Sequence, residues 1–296
     1  LRVAAFPNVI TVGEKAFESC AELTNIFIPK VTKIDRMAFW NCEKLSSLDC
    51  PEVIEFGSSA LAGCSLITIN FPNATTFDSS VFSYTPLRSA NIPKTTKITD
   101  YMFEECSELT DVYAPDVTAI GNGAFRGCSS IADIAFEKAT SVDFAAFESC
   151  SNLTSVRLDS AVSFGNNVFK DCSSLVDVYL PNVETTDSQT FYNCTSLVEI
   201  DLPKVTEVTA SMFYGCSNLQ RANLPKLASC RDNMFANCTS LEYVALPELT
   251  EWGYGMFSNC TALKVADFTK LTSTKSSVFS RCTNLKALVL RGESVC

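Results

Sequence analysis

The sequence predicts a solenoid: one domain over residues 1–296, about 13 stacked coils of 22 residues. A parallel β-sheet should form one face, with short extended segments and short helices on the others. Three observations carry this expectation. An anchor residue recurs at Phe17, Phe39, Leu61, Phe82, Phe103, Phe125, Phe147, Phe169, Phe191, Phe213, Phe235, Phe257 and Phe279, in steps of 22 apart from two steps of 21 around Phe82. Proline holds one place in the repeat at 7, 29, 51, 72, 93, 115, 181, 203, 225 and 247, which is 10 of the chain's 11 prolines. Cysteine stands three residues after every anchor but one, where Thr85 replaces it. A fixed period near 22 marks a unit that cannot bury its apolar face alone and must stack on its neighbours.

Each element of the coil follows in order, with Phe191 to Phe213 as the type. Leu197, Ile200 and Leu202 form an L-x-x-I-x-L strand in which Ile200 and Leu202 point inward and Glu199 and Asp201 outward, since strand side chains alternate. Pro203 lacks the donor a further ladder bond needs and stops the strand. Val205-Thr206-Glu207-Val208 forms a second short extended stretch with both valines inward. Thr209 and its equivalents then make a turn and, as capping residue types, start a short helix carrying Met212, Phe213 and Cys216 on one face. Neighbouring strands lie roughly 4.8 Å apart, so Phe, Leu and Cys should each form an in-register column. Fourteen strands are expected, counting one at Ala4 to Phe6, each pairing in parallel with the next. Leu1-x-x-Ala4-x-Phe6-Pro7 reads as the tail of a coil, so the first and last coils are expected to be incomplete.

The fifteen cysteines all take aliphatic core positions. Twelve fill the column, Cys50 stands where Ile28 or Leu202 does, and Cys230 and Cys296 stand where Ile34 or Val208 does. Buried free thiols, some disulfides and a metal cluster are the three readings. In-register Cβ vectors run parallel about 4.8 Å apart, beyond an unstrained bond, and no C-x-x-C cluster is present, so the first reading is favoured.

Composition narrows function. The chain has no histidine, which excludes Ser-His-Asp and Cys-His catalysis and histidine metal sites. A net charge of −10 argues against a nucleic-acid partner. No apolar run approaches 18 residues, so no membrane insertion is expected. Neither a nucleophile–base pair nor a phosphate loop appears, and no catalytic, metal or cofactor residue is assigned.

"FESCAELTNIFIPKVTKIDRMAF" and "FYNCTSLVEIDLPKVTEVTASMF" resemble the BspA-type leucine-rich repeats over the whole chain. Classical leucine-rich repeats continue L-x-x-L-x-L-x-x-N, whereas Pro-x-Val follows here, as in the BspA type. The resemblance implies a leucine-rich-repeat solenoid exported to the cell surface or secreted, and a role in adhesion to host proteins or other cells. The family carries no motif-defined functional residues, so none is transferred.

Inward positions have a structural duty, which leaves the outward columns for function. On the strand face the candidate partner-binding residues are Tyr113, Arg157, Asp177, Tyr179, Glu199, Asp201, Arg221 and Tyr243, because aromatics and arginine anchor interfaces. The same residues also suit an ordinary solvated sheet, where Tyr is favoured anyway. Asp111, Asp133, Asp177, Glu199 and Asp201 make the face acidic, which fits a solvated surface better than a Ca²⁺ site. Asn73, Asn152, Asn193, Asn237 and Asn259 begin glycosylation-type triplets, three of them N-C-T products of the repeat itself. The short steps, at Cys64-Ser-Leu66 and Thr85-Pro86-Leu87, should tighten the coils around 61–103. The leading function is a binding or adhesion module for a protein or glycan partner, and the alternative is a passive stalk displaying other domains. Leu197→Ala or Phe191→Ala should lower unfolding free energy by about 2–5 kcal/mol in a denaturant titration. Asp201→Ala should stay within roughly 0.5 kcal/mol; equal midpoints for the two classes would mean that the faces are reversed.

Overall fold

The alternation expected of the strand is visible residue by residue. Ile26 is buried between exposed Asn25 and Phe27, and Ile200 between exposed Glu199 and Asp201. The computed structural model describes residues 2–273 and 275–290; Cys296 lies outside them. They form two compact units, Leu1–Ala132 and Asp133–Cys296. Each is a β-solenoid of 22-residue turns, and the chain makes about 13 turns in all.

In the first unit Val3–Ala5, Asn25–Phe27 and Ser47–Asp49 pair in parallel, residue for residue. Thr68–Asn70, Ser89–Asn91 and Asp111–Tyr113 form a second such ladder. The coils that lack a residue keep the register, with Ile69 opposite Ala90, so the deletion is taken up before the strand. In the second unit the ladders are Asp133–Ala135 to Asp177–Tyr179, Glu199–Asp201 with Arg221–Asn223, and Tyr243–Ala245 to Ala287–Leu290. All fourteen expected strands are present. The expectation that each pairs with the next is corrected: among the described residues no ladder joins Ser47–Asp49 to Thr68–Asn70 in the first unit, nor Asp177–Tyr179 to Glu199–Asp201 or Arg221–Asn223 to Tyr243–Ala245 in the second. The second extended stretch forms its own parallel ladder, as in Ser163–Phe164, Thr185–Thr186 and Glu207–Val208. Between the two strands the proline enters a tight turn: Val31 N–H donates to the Ile28 carbonyl with Pro29 at the second position, where its fixed φ is suited.

The expected short helices are absent among the described residues. Alternate N–H groups around each anchor donate to the next coil: Lys15 to Arg36, Phe17 to Ala38 and Ser19 to Trp40, at 3.1, 2.8 and 2.7 Å. The intervening N–H groups of Ala16, Glu18 and Cys20 close four-residue turns onto the carbonyls of Gly13, Lys15 and Phe17. The physical reason is spacing. Coils stack at roughly 4.8 Å, whereas helices pack 8–10 Å apart. A row of stacked helices does not fit this repeat, and a third hydrogen-bonded face replaces it. Two residues per coil, two before and two after the anchor, take positive φ to make these turns, among them Lys15, Ser19, Gln189, Asn193 and Gly215.

The core is the expected set of columns. Leu197, Ile200, Leu202, Val205, Val208, Met212, Phe213 and Cys216 are all buried. Anchor rings stack: Phe17 on Phe39 at 5.1 Å, and Phe213 on Phe191 and Phe235 at 5.6 and 5.3 Å between centroids. Such offset pairs add about 0.5–1.5 kcal/mol each beyond burial. At the aliphatic anchor Leu61 the aromatic volume moves to the strands, where Phe56 stacks on Phe77 at 5.2 Å and touches Phe71 at 4.8 Å.

All fourteen described cysteines are free thiols. In the column, from Cys42 onward, thiols donate to the carbonyl of the preceding anchor, for example Cys42 to Phe17 and Cys194 to Phe169, at 3.0 and 3.1 Å. Thr85 fits the column because its hydroxyl does similar work, donating to the Phe82 carbonyl at 2.7 Å and lying 3.3 Å from Cys106 Sγ.

This packing can be tested in three ways. Gly215 sits at φ +75 in a column whose members all take positive φ, and a Cβ there would lie 2.3 Å from Asn193 Oδ1. Gly215→Ala should therefore destabilise by about 1–2 kcal/mol, while Gln189→Gly, which relieves the same backbone strain, should cost nothing measurable by thermal melting. Burial pushes Cys42 and Cys106 to about 11 and Cys216 to about 12, above the ordinary 9.0. The folded state thus holds protons that the unfolded chain releases. Stability should be level up to pH about 9 and fall as pH rises toward 11–12, read as the denaturation midpoint. A thiol reagent at neutral pH should label few cysteines in the native protein and most of the 15 after denaturation without reductant.

Candidate binding surface

Sequence-expected site residues divide between the units. Tyr113 lies in the first, exposed at the end of Asp111–Tyr113 opposite Asn91. The other seven lie on the outward strand face of the second unit. Ladder register sets Arg157 opposite Tyr179, and the Arg157 guanidinium carbon lies 4.6 Å from the Tyr179 ring centroid. Asp159 holds the arginine there at 3.0 Å, and that hydrogen bond, with the charge behind it, raises the Arg157 pKa. Tyr179 nonetheless remains 46% exposed.

The next coil brings the acidic part of the face. Register sets Glu199 opposite Arg221 and Asp201 opposite Asn223, whose amide donates to Asp201 at 2.7 Å. A depression of about 370 Å³ opens where the ladder breaks between Asp177–Tyr179 and Glu199–Asp201. Asp177, Glu199, Asp201 and Arg221 line it together with Val176, Val178 and Asn223. Three carboxylates and one guanidinium thus surround a partly apolar floor. Tyr243 follows Arg221 in the same column, exposed and across the second ladder break. The structure therefore gathers Arg157 with Tyr179, and Asp177 with Glu199, Asp201 and Arg221. It leaves Tyr243 at the margin and does not place Tyr113 on this patch.

Sequence reasoning missed Asp159, Val176 and Asn223. Two of them had a readable signal. Asp159 stands where ten other coils have proline, and Val176 stands in a column otherwise largely polar, yet it is 52% exposed. The N-C-T triplets also have local work to do. Asn193 takes positive φ and its amide donates to Asp171, while the Thr195 hydroxyl donates to the Ser173 carbonyl. Among the described residues no group of three His, Cys, Asp or Glu side chains is placed to hold a metal ion. No described helix is long and apolar enough to cross a membrane.

The repeat phrase matches the BspA type leucine rich repeat region over residues 3–88, 96–220 and 184–294. The chain belongs to the BspA-type leucine-rich repeat family. A leucine-rich repeat protein from Bacteroides ovatus shares its fold, with a TM-score of 0.70 and 22% identity over 97% of this chain and 86% of that one. A leucine-rich cell surface protein from Faecalibacterium prausnitzii is similar with a TM-score of 0.56 and 20% identity, over 99% of this chain and 88% of its own. Comparison with curated proteins finds no match. A bacterial cell-surface protein is thus among those whose fold the chain shares.

Proposed function

We propose that this protein is a cell-surface binding and adhesion module that captures a protein or glycan partner on the outward strand face of its second unit. The observation that carries this reading is the Arg157–Tyr179 pair, exposed beside a depression ringed by Asp177, Glu199, Asp201 and Arg221. Tyr179 offers a flat apolar ring with a hydroxyl, and Asp159 pre-positions Arg157, so little side-chain freedom is lost on binding. Carboxylates accept from guanidinium, ammonium or hydroxyl groups, and alternating charge around an aromatic suits protein or sugar better than a phosphate backbone. A passive spacer has no need of exposed apolar surface, whereas Val176, Tyr179 and Tyr243 are all exposed on this face. The surface location agrees with the cell-surface relative from Faecalibacterium prausnitzii.

The test is capture from extracellular-matrix proteins and cell-surface glycans by the wild-type chain, followed by affinity measurement on variants. Tyr179→Ala should weaken binding by about 2 kcal/mol or more, the scale of an interface hot spot, with an unchanged melting temperature. A partner whose affinity survives combined replacement of Arg157, Tyr179 and Asp201 by alanine would place recognition on another face.

A further inference from the structure

The turn face of the first unit carries a separate cavity of about 350 Å³. Trp40 stands at one end, Tyr84 and Glu104 at the other, and Ala62, Gly63 and Ser83 lie between. Trp40, Ala62, Ser83 and Glu104 occupy successive coils in the column that follows the anchor. In the second unit the same column holds Tyr192 and Tyr214, whose rings are parallel within 4° at 4.8 Å. A ring in this column thus turns its face to the next coil. Trp40 meets no ring there, because Ala62 and Ser83 leave two rungs of the ladder without one. From Trp40 to Glu104 is three coil steps, roughly 14 Å at strand spacing.

The polar groups around the gap point to the class of occupant. In the neighbouring column the Asn193 amide donates to Asp171, and the Asn259 amide to Asn237, each at 2.9 Å. In both pairs the amide reaches the preceding coil; Asn41 stands in that column too, and the coil whose residue would donate to its Oδ1 offers only Gly63, where a Cβ would lie 2.8 Å from that oxygen. Among the described residues the Asn41 amide and the hydroxyls of Ser59 and Ser80 have no side-chain hydrogen-bond partner, and all three line the cavity. Glu104 is buried and its carboxylate is salt-bridged to Arg126, so the far wall is polar without net charge.

We propose that this slot is a carbohydrate subsite that stacks one neutral pyranose ring on the Trp40 indole. A pyranose has an apolar C–H face and a rim of hydroxyls. The indole takes the face, and Asn41, Ser59 and Ser80 take the rim. The volume lies within the range of small-molecule sites. A cationic ligand needs an unpaired carboxylate, which Arg126 denies it, and an aromatic side chain leaves the amide and hydroxyls unmatched. This site is on a different unit and a different face from the strand patch and does not rest on it.

The test uses the full chain carrying Trp252→Phe, which leaves Trp40 as its one indole; Trp252 itself is buried. Trp40 fluorescence and saturation-transfer NMR are read during titration with methyl β-glucoside, methyl β-galactoside, methyl α-mannoside, N-acetylglucosamine and a β-linked glucose trimer, up to about 10 mM. At least one sugar should shift the fluorescence and receive saturation on its ring protons. Trp40→Ala, followed by NMR alone, and Ala62→Tyr, which fills the empty rung, should each weaken that binding at least about tenfold. Replacing Arg157, Tyr179 and Asp201 together should leave it unchanged. The proposal is overturned if no sugar in the panel binds, if binding persists in either Trp40→Ala or Ala62→Tyr, or if phenol and phenylalanine methyl ester bind more tightly than every sugar.

Discussion

Backbone hydrogen bonding between stacked coils, at the spacing of neighbouring β-strands, is the constraint on which the rest of the structure depends. It holds on all three faces: Ile26 with Leu48 in the strand ladder, Ile34 with Phe56 in the second, and Phe17 N–H to the Ala38 carbonyl on the turn face. Because the spacing is common to the three, equivalent side chains must lie in straight columns. A column of large flat rings stacks well at that interval, which is why the anchor is a phenylalanine in all but one coil. A column of thiols also fits, since each is small and donates to a carbonyl of the coil before it. Burial of these thiols, and not any reactivity, accounts for their raised pKa values.

The same constraint dictates the backbone of the turn face. Turns tight enough to alternate between closing on themselves and bonding to the next coil need two left-handed residues per coil. Gly, Asn and Asp tolerate that conformation best, and they recur at the position just before the column cysteine, as in Asp171, Asn193, Gly215, Asn237 and Asn259. The N-C-T triplets are therefore a by-product of backbone geometry. Their asparagine amides and threonine hydroxyls are used in coil-to-coil ladders, at Asn193 and Asn259 and at Thr195 and Thr239.

With so many columns committed to structure, departures from a column are informative. Thr85 for cysteine still bonds an anchor carbonyl, now that of Phe82 in its own coil. Leu61 for phenylalanine is balanced by Phe56, Phe71 and Phe77 around it. Asp159 for proline gives up a turn device and instead fixes Arg157 over Tyr179. Ala62 and Ser83 after Trp40 leave a gap on the turn face that no neighbouring ring fills. The first two restore what the departure removed. The last two create exposed features that packing does not require.

The period, the inward columns and the strand at L-x-x-I-x-L were legible in the sequence, because alternation and stacking force apolar residues into fixed places along each coil. Leu197, Ile200, Leu202, Val205 and Val208 are buried for that reason alone. The outward placement of Arg157, Tyr179, Asp177, Glu199, Asp201 and Arg221 was legible on the same argument. The turn face was not: Met212, Phe213 and Cys216 match the spacing of a helix as well as that of consecutive turns, and only the distance between stacked coils decides between them. Nor could a single coil reveal where the ladder breaks beside Asp177, that Asp159 holds Arg157 on the Tyr179 ring, or that Trp40 faces an empty rung. Each of these depends on what the neighbouring coil places opposite, a relation between residues 22 apart in sequence that only stacking turns into contact.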